Sequence, residues 1–357
     1  MKKLLAIALS ALILMTGCSG GKSSAAEDPI KKYGSDKLKL FIWGEYLGED
    51  VISNFEKQYG VDVIVEYFDS NEMMYTKLQA GDAYDVIVPS DYMIQRLISE
   101  DMIQKIDKSL VPNTETLAEG VKNLEFDPDN TYSVPYFWGS VGIVYNKKNV
   151  PEELVKEKGF EILKDTDYSG DIYMYDSERD SFMVALKALG YSVNTEDDAE
   201  IEKAYQWLIE LNNTMNPAYV TDEVIDSMIN GTKDIAVVYS GDATVILDEN
   251  KDMGFYMPEE GTNIWCDSMC IPSNAENPLL AHEFMNYMLS YDAAYDNTMT
   301  VGYASPNKDV LEEVSKNEYA DNEAYLPRAN YDKDEVFRDN EVLRQKLSQL
   351  WLKVKAQ

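Results

Sequence analysis

Five stretches of the chain set an aromatic ring beside a carboxylate at the end of a strand-like run. Trp43-Gly44-Glu45-Tyr46 follows KLKLFI, and Ser90-Asp91-Tyr92 follows DVIVP. Asp176-Ser177-Glu178-Arg179-Asp180 follows DIYMY, and Tyr239-Ser240-Gly241-Asp242 closes DIAVVY. In NIWCDSMCIP, Trp265 and Asp267 alternate onto one face while Cys266 points to the other. Rings attract ammonium groups over their faces, by about 0.5–1 kcal/mol when exposed and about 2 when desolvated. They also cover methylenes, at about 0.8 kcal/mol per buried CH₂. Carboxylates accept charge-assisted bonds from ammonium ends, at about 1.5–3 kcal/mol each. Two such bonds, three rings and six methylenes sum to roughly 10–15 kcal/mol gross, whereas micromolar binding needs only about 8. The residue set therefore suits a slender methylene chain carrying ammonium groups. Taken singly, each residue has a plainer role: a ring at a strand end packs in the core, Ser90 and Asp91 start a helix, Arg179 pairs with nearby carboxylates, and Glu178 is solvated. Only their coincidence at five strand ends points to a site.

Other classes of function are disfavoured. The formal net charge is −32, which repels nucleic acid and anionic lipid. Exposed charges are screened beyond about 8 Å at physiological salt, so this charge argues only weakly for a cationic ligand. His282 is the only histidine and lies in a helical pattern, expected at the surface or half-buried. A histidine triad or zinc site is thus disfavoured, and neither metal nor cofactor is expected. Asp180 and Asp267 would be the pair for glycosidase-type acid and base work, but no nucleophile motif accompanies them. The chain carries no phosphate-binding G-x-x-x-x-G-K-[ST] loop, so any ATPase is a separate chain. Cys266 and Cys270 stand roughly 13 Å apart on an extended strand, beyond disulfide reach, and are expected to be buried thiols.

The elements that must position these loops alternate along the chain. KLKLFIW reads as a strand and Val51–Gln58 as a helix. VDVIVEYF alternates, with Val61, Val63, Val65 and Tyr67 on one face. Ser70 caps a helix that Gly81 stops, DVIVP is a buried strand, and Ser90 opens another helix. SVPYFWGSVGIVYN reads as a segment leaving one sheet for a second, with Gly139 and Gly142 allowing a bend. Beyond it come DIYMYD, helices over 180–189, 199–211 and 223–229, DIAVVY, a helix over 243–248, NIWCDSMCIP, and helices over 278–289 and 342–354. Strand–helix alternation of this kind predicts α/β lobes with doubly wound sheets, and two such lobes leave a cleft where ligands usually sit. In such sheets the ligand lies beyond the carboxyl ends of the strands, where these loops are.

At the start, Lys2 and Lys3 precede the apolar run Leu4–Thr16, which is too short to span a bilayer and has the layout of a secretory signal over residues 1–17. Met15-Thr16-Gly17-Cys18 resembles a bacterial lipobox, with Met standing where Leu is usual. The resemblance implies acylation of Cys18 and a lipid-anchored protein on the outer face of the membrane, with residues 18–36 as a flexible tether.

Six blocks, FIWGEYL, SNEMMYTKL, YDVIVPSDYMIQRLISEDMIQKID, YSVPYFWGSVGIVYN, IWCDSMCIP and VGYASPN, resemble those of bacterial spermidine/putrescine-binding proteins, in the same order across nearly the whole mature chain. The resemblance implies a two-lobed periplasmic-binding-protein-like fold joined by hinge strands, with residues 37–137 and 267–305 in the first lobe and 138–266 and 306–357 in the second. It implies a polyamine ligand, spermidine or putrescine, an ABC transporter permease as partner, and a monomer. It also assigns roles. Trp43 and Tyr46 match pocket walls, and Glu45 matches a carboxylate facing one amine. Ser90 and Tyr92 match a helix-start serine and a pocket ring. Asp180 matches a glutamate that holds a terminal amine, Trp265 a ring stacked on methylenes, and Asp267 the main carboxylate. Three departures stand out: Tyr239 replaces a frequent Trp, the first aspartate of the D-x-R-E block is either replaced by Ser177 or shifted to Asp176, and Phe337 stands near a usual amide. Asp242 occupies a position where some members have only a small residue, and an added carboxylate there would cap a shorter ligand. A sugar, a thiamine-like cation or an iron chelate is the alternative solute in the same fold.

Overall fold

The computed structural model describes residues 28–328 and 331–356. The signal run, Cys18 and most of the expected tether lie outside the described residues. The last part of that tether is not a loose linker: Pro29–Tyr33 is a helical turn capped by Asp28. Tyr33 is buried, and its hydroxyl donates to Glu283 at 2.9 Å. A buried ring with a hydrogen-bonded tip anchors what glycine and serine content alone would leave free.

Among the described residues, nine strands form the framework: β1 (Lys37–Trp43), β2 (Asp62–Phe68), β3 (Val86–Ile87), β4 (Ser133–Asn146), β5 (Ile172–Tyr175), β6 (Ala218–Val220), β7 (Ile235–Tyr239), β8 (Met253–Tyr256) and β9 (Ile264–Cys270). They run in the order β2-β1-β3-β9-β4-β7-β5-β6, with β8 also paired to β4. β1 is parallel to β2 and β3, and β5 is parallel to β6 and β7, as strand–helix–strand crossovers require. β9 runs antiparallel to β3 and β4.

β4 joins the two halves. Its residues 133–140 pair with β9, and 141–146 pair with β7 and β8. All of its 14 residues are buried, which explains why the sequence reads as a continuous apolar run rather than an alternating one. The two glycines serve close approach rather than a bend. A Cβ at Gly139 would collide with the Trp265 ring, and one at Gly142 with the Phe255 ring.

Two cores lie on either side of this crossing. One gathers Leu40, Phe55, Ile94, Phe137 and Phe284, and the other Ile143, Phe182, Leu208, Val237 and Trp351. The chain is thus a two-lobed α/β protein. The helix Lys308–Lys316, expected in the second lobe, packs instead on the helix Tyr291–Val301, where Val310 and Val314 share a cluster with Ala294. Its amphipathic face finds its apolar partner there, and the chain passes to the other half only afterwards.

β2 also departs from strict alternation. Tyr67 is 56% exposed while Phe68 is fully buried. β2 is an edge strand, so tertiary contacts at its end override its pattern. His282 is buried, not superficial: its Nε2 accepts from the Asp107 N–H at 2.9 Å, and its Nδ1 lies 2.6 Å from the Pro278 carbonyl. Cys266 and Cys270 are buried free thiols, as expected.

Candidate functional site

The strand ends of both lobes bring most of the expected residues to one place. Asp267 lies in β9, and its neighbour Ser268 donates its N–H to the Pro89 carbonyl at 3.0 Å. That pairing sets Ser90 and Asp267 side by side as a bridge between β9 and the helix Asp91–Ser99. The Asp267 carboxylate is buried, accepts from the Tyr46 hydroxyl at 2.7 Å, and has Ser90 as a second stabilising partner. Burial pushes its pKa up to about 6 against those two hydrogen bonds.

On the opposite side, Ser177 caps the helix Glu178–Ala188, and Asp180 occupies its first turn. Asp180 accepts from the hydroxyls of Tyr239 at 2.6 Å and Ser177 at 2.7 Å. Burial again raises its pKa. Tyr239 stacks on Tyr175 with centroids 4.4 Å apart and 28° between planes. The Tyr239 ring is also 6.1 Å from that of Trp265, which connects the two sides. Trp265 meets Tyr303 edge-on at 4.8 Å, and Tyr303 reaches Tyr46 at 5.8 Å. Asp242, half-buried in the first turn of the helix Ser240–Glu249, accepts from the hydroxyls of Tyr175 and Tyr303. Burial lifts its pKa to about 6.

Among the described residues, Asp180, Asp242 and Asp267 form no ion pair with any lysine or arginine. Their partners are hydroxyls. The phenols are held far above their ordinary pKa by burial and by these carboxylates, so they remain donors. The indole N–H groups of Trp43 and Trp265 are buried with no partner. Such an arrangement presents negative charge and ring surface to a guest with positive ends.

Other residues fall elsewhere. Asp176, although next to Ser177, is exposed and pairs with Lys355 at 3.0 Å, so it is not the missing pocket aspartate. Its side chain meets the C-terminal helix Glu341–Lys355 rather than the cleft. Glu45 is exposed, with a left-handed backbone at φ 52°. Trp43 is half-buried with its ring 4.5 Å from Phe68. Tyr92 is half-buried, and one face is covered by the Arg179 guanidinium at 3.6 Å, with Phe337 on the same cation at 5.0 Å. A ring expected to wall the pocket is thus occupied by an internal cation.

Two contributors, Tyr175 and Tyr303, are not singled out by the sequence, in which Asp91 reads as the start of a helix. Tyr175 is the last residue of β5, so the rule that directs attention to strand carboxyl ends does select it. Asp91 is buried, accepts from the backbone N–H groups of Tyr92 and Cys266, and has its pKa pushed up to about 7 by burial. Tyr303 follows a helix rather than a strand, and no local signal marks it.

Around the mouth of the cleft, two ion pairs and a hydrogen bond join the two sides. Arg338 meets Glu125 at 2.9 Å, Arg344 lies 3.9 Å from Glu72, and the Asp339 N–H donates to Gln95 at 2.8 Å.

A two-lobed α/β chain with carboxylates and rings from both lobes converging between them defines a solute-binding protein that holds its ligand in an inter-lobe cleft. The chain belongs to the family described as bacterial extracellular solute-binding protein, which matches residues 50–327. This family consists of binding proteins, not enzymes. The chain is 36% identical over 275 residues to the spermidine/putrescine-binding periplasmic protein of Salmonella typhimurium, covering 76% of this chain and 78% of that one. It is 30% identical over 368 residues to a putrescine/cadaverine-binding protein of Pseudomonas aeruginosa, covering 99% of each. Among solved structures, the spermidine/putrescine ABC transporter substrate-binding protein PotD of Streptococcus pneumoniae superposes with a TM-score of 0.78 at 34% identity, covering 90% of this chain and 99% of that one. No helix among the described residues is long and apolar enough to cross a membrane.

Proposed function

We propose that the protein captures a polyamine, spermidine or putrescine, in its inter-lobe cleft and delivers it to the permease of an ABC importer. The observation that carries this reading is the trio Asp180, Asp242 and Asp267, buried or half-buried and, among the described residues, in no ion pair with a lysine or arginine. A buried carboxylate without a countercharge costs several kcal/mol, roughly what an arriving ammonium recovers. Asp180 and Asp267 hold the two ammonium ends. Trp265, Tyr239 and Tyr303 cover the methylenes between them, with Trp43 and Tyr46 at the Asp267 side. Glu45 lies at the rim and steers the approaching cation. A sugar would want many neutral hydrogen-bonding groups, which ring-capped carboxylates do not supply. The lobes close by hinge motion through β4 and β9, and Cys18 carries the lipid that keeps the protein, as a monomer, at the outer face of the membrane.

Calorimetry with spermidine, putrescine, cadaverine and a neutral hexose tests the ligand. Micromolar or tighter binding of at least one polyamine, and none of the hexose, is expected. Absence of heat with every polyamine overturns the reading. Lipid anchoring is checked by labelled-palmitate incorporation, which Cys18→Ala abolishes.

A further inference from the structure

Asp242 differs from its two companions in how its oxygens are used. It accepts from the Tyr175 hydroxyl on Oδ2 and from the Tyr303 hydroxyl on Oδ1, the latter at 3.2 Å. Both phenols belong to opposite walls of the cleft. The Tyr175 oxygen also accepts the backbone N–H of Tyr239 at 3.0 Å, and its ring stacks on the Tyr239 ring. Tyr303 meets Trp265 edge-on, and it packs so tightly against Gly241 that any Cβ there would overlap its ring. Tyr303 packs with the first core, whereas Tyr175 packs with Val144, Val238 and Phe255 in a separate cluster. One carboxylate therefore ties the Tyr175–Tyr239 wall to the Tyr303–Trp265 wall, with one oxygen committed to each side.

We propose that Asp242 is a positioning residue: it fixes the separation of the two aromatic walls and so sets which polyamine length the cleft prefers. The inference rests on polyamine binding as read above. A preorganised slot discriminates between ligands, because the misfit ligand must strain it, while a slot whose walls are free to shift accommodates several lengths at lower cost. Asn at this position keeps one acceptor oxygen and turns the other into an NH₂ donor, so one phenol must reverse its hydrogen bond and both lose the charge assistance of the carboxylate.

The test measures Kd for putrescine, cadaverine and spermidine with the parent, Asp242→Asn, Tyr303→Phe, and the double variant. In Asp242→Asn the spread between best and worst ligand narrows by about threefold or more, Tyr303→Phe narrows it similarly, and the double variant adds little, since both remove the same interaction. Tyr175→Phe, which deletes a single hydroxyl, provides the same readout should Asp242→Asn fold poorly. Equal weakening of all three polyamines with the spread unchanged overturns the positioning role, as does additivity of Asp242→Asn with Tyr303→Phe. A parent that binds no polyamine overturns the function and this inference together, whereas a parent that binds with an unaltered spread in the variants overturns the inference alone.

Discussion

Asp180, Asp242 and Asp267 inside the cleft have hydroxyls for partners, whereas Glu72 and Glu125 at its mouth face Arg344 and Arg338. Arginine is scarce in this acidic chain, with five in all, and three of them, Arg179, Arg338 and Arg344, stand at this boundary. The mouth therefore supplies countercharges of its own, although Arg344 Nη1 is buried without a hydrogen-bond partner, whereas the interior carboxylates have none. Exposed ion pairs contribute only about 0–1 kcal/mol each, so the mouth by itself favours closure weakly. An interior that gains from an added cation supplies the larger part, which is how a ligand shifts an open–closed equilibrium.

The contrast is most directly broken at Asp267. Asp267→Ala is expected to weaken polyamine binding by at least about 2 kcal/mol, some 30-fold, because an ammonium end is left desolvated. Calorimetry showing parental affinity would mean that the interior is not the binding surface.

Changing pH sharpens it next. Asp242 and Asp267 have pKa values raised to about 6 and Asp91 to about 7. An incoming cation favours their ionised forms, so affinity rises from pH 5 to pH 7.5, by up to about tenfold per proton released. The ligand-free protein should behave oppositely. Groups whose folded pKa exceeds the unfolded one stabilise the fold below the unfolded value, near 4, and lose that contribution as pH climbs through 6 to 7. Replacing Asp91 by Asn should accordingly flatten the fall in ligand-free Tm over pH 5–7.5.

Mouth substitutions come third. Arg338→Ala and Arg344→Ala should each cost less than about 1 kcal/mol in affinity, and 1 M salt should erase the difference. A large, salt-independent loss would place them in the binding surface instead. The smallest effect belongs to Asp176→Ala, expected to leave affinity within about 0.3 kcal/mol, because only its exposed pair with Lys355 is lost.

Legibility in the sequence follows the range of the interactions concerned. Asp180, Tyr239, Trp265 and Asp267 sit at strand ends or on one strand face, where period-two geometry and the carboxyl-end rule depend on neighbours in the chain. Asp176 shares that position, yet its direction is decided by Lys355, far along the chain in the last helix, which no local pattern encodes. Tyr303 joins the site because the helix before it delivers it against Gly241, a tertiary fact. β6 and β8, with three and four residues, are too short for periodicity to register, and their pairing partners create them. The reach of Arg179 over Tyr92 likewise depends on the meeting of two lobes.

β4 has a mechanical corollary. A buried ribbon whose first half is laddered to one sheet and whose second half is laddered to the other leaves no unpaired linker at the crossing. Detaching either sheet strips hydrogen bonds from a backbone that the remaining sheet still needs straight, so the halves should melt as a single cooperative unit, with one heat-absorption peak in calorimetry. The hinge motion proposed above would accordingly be spread over the twist of continuous strands and carry an elastic restoring force.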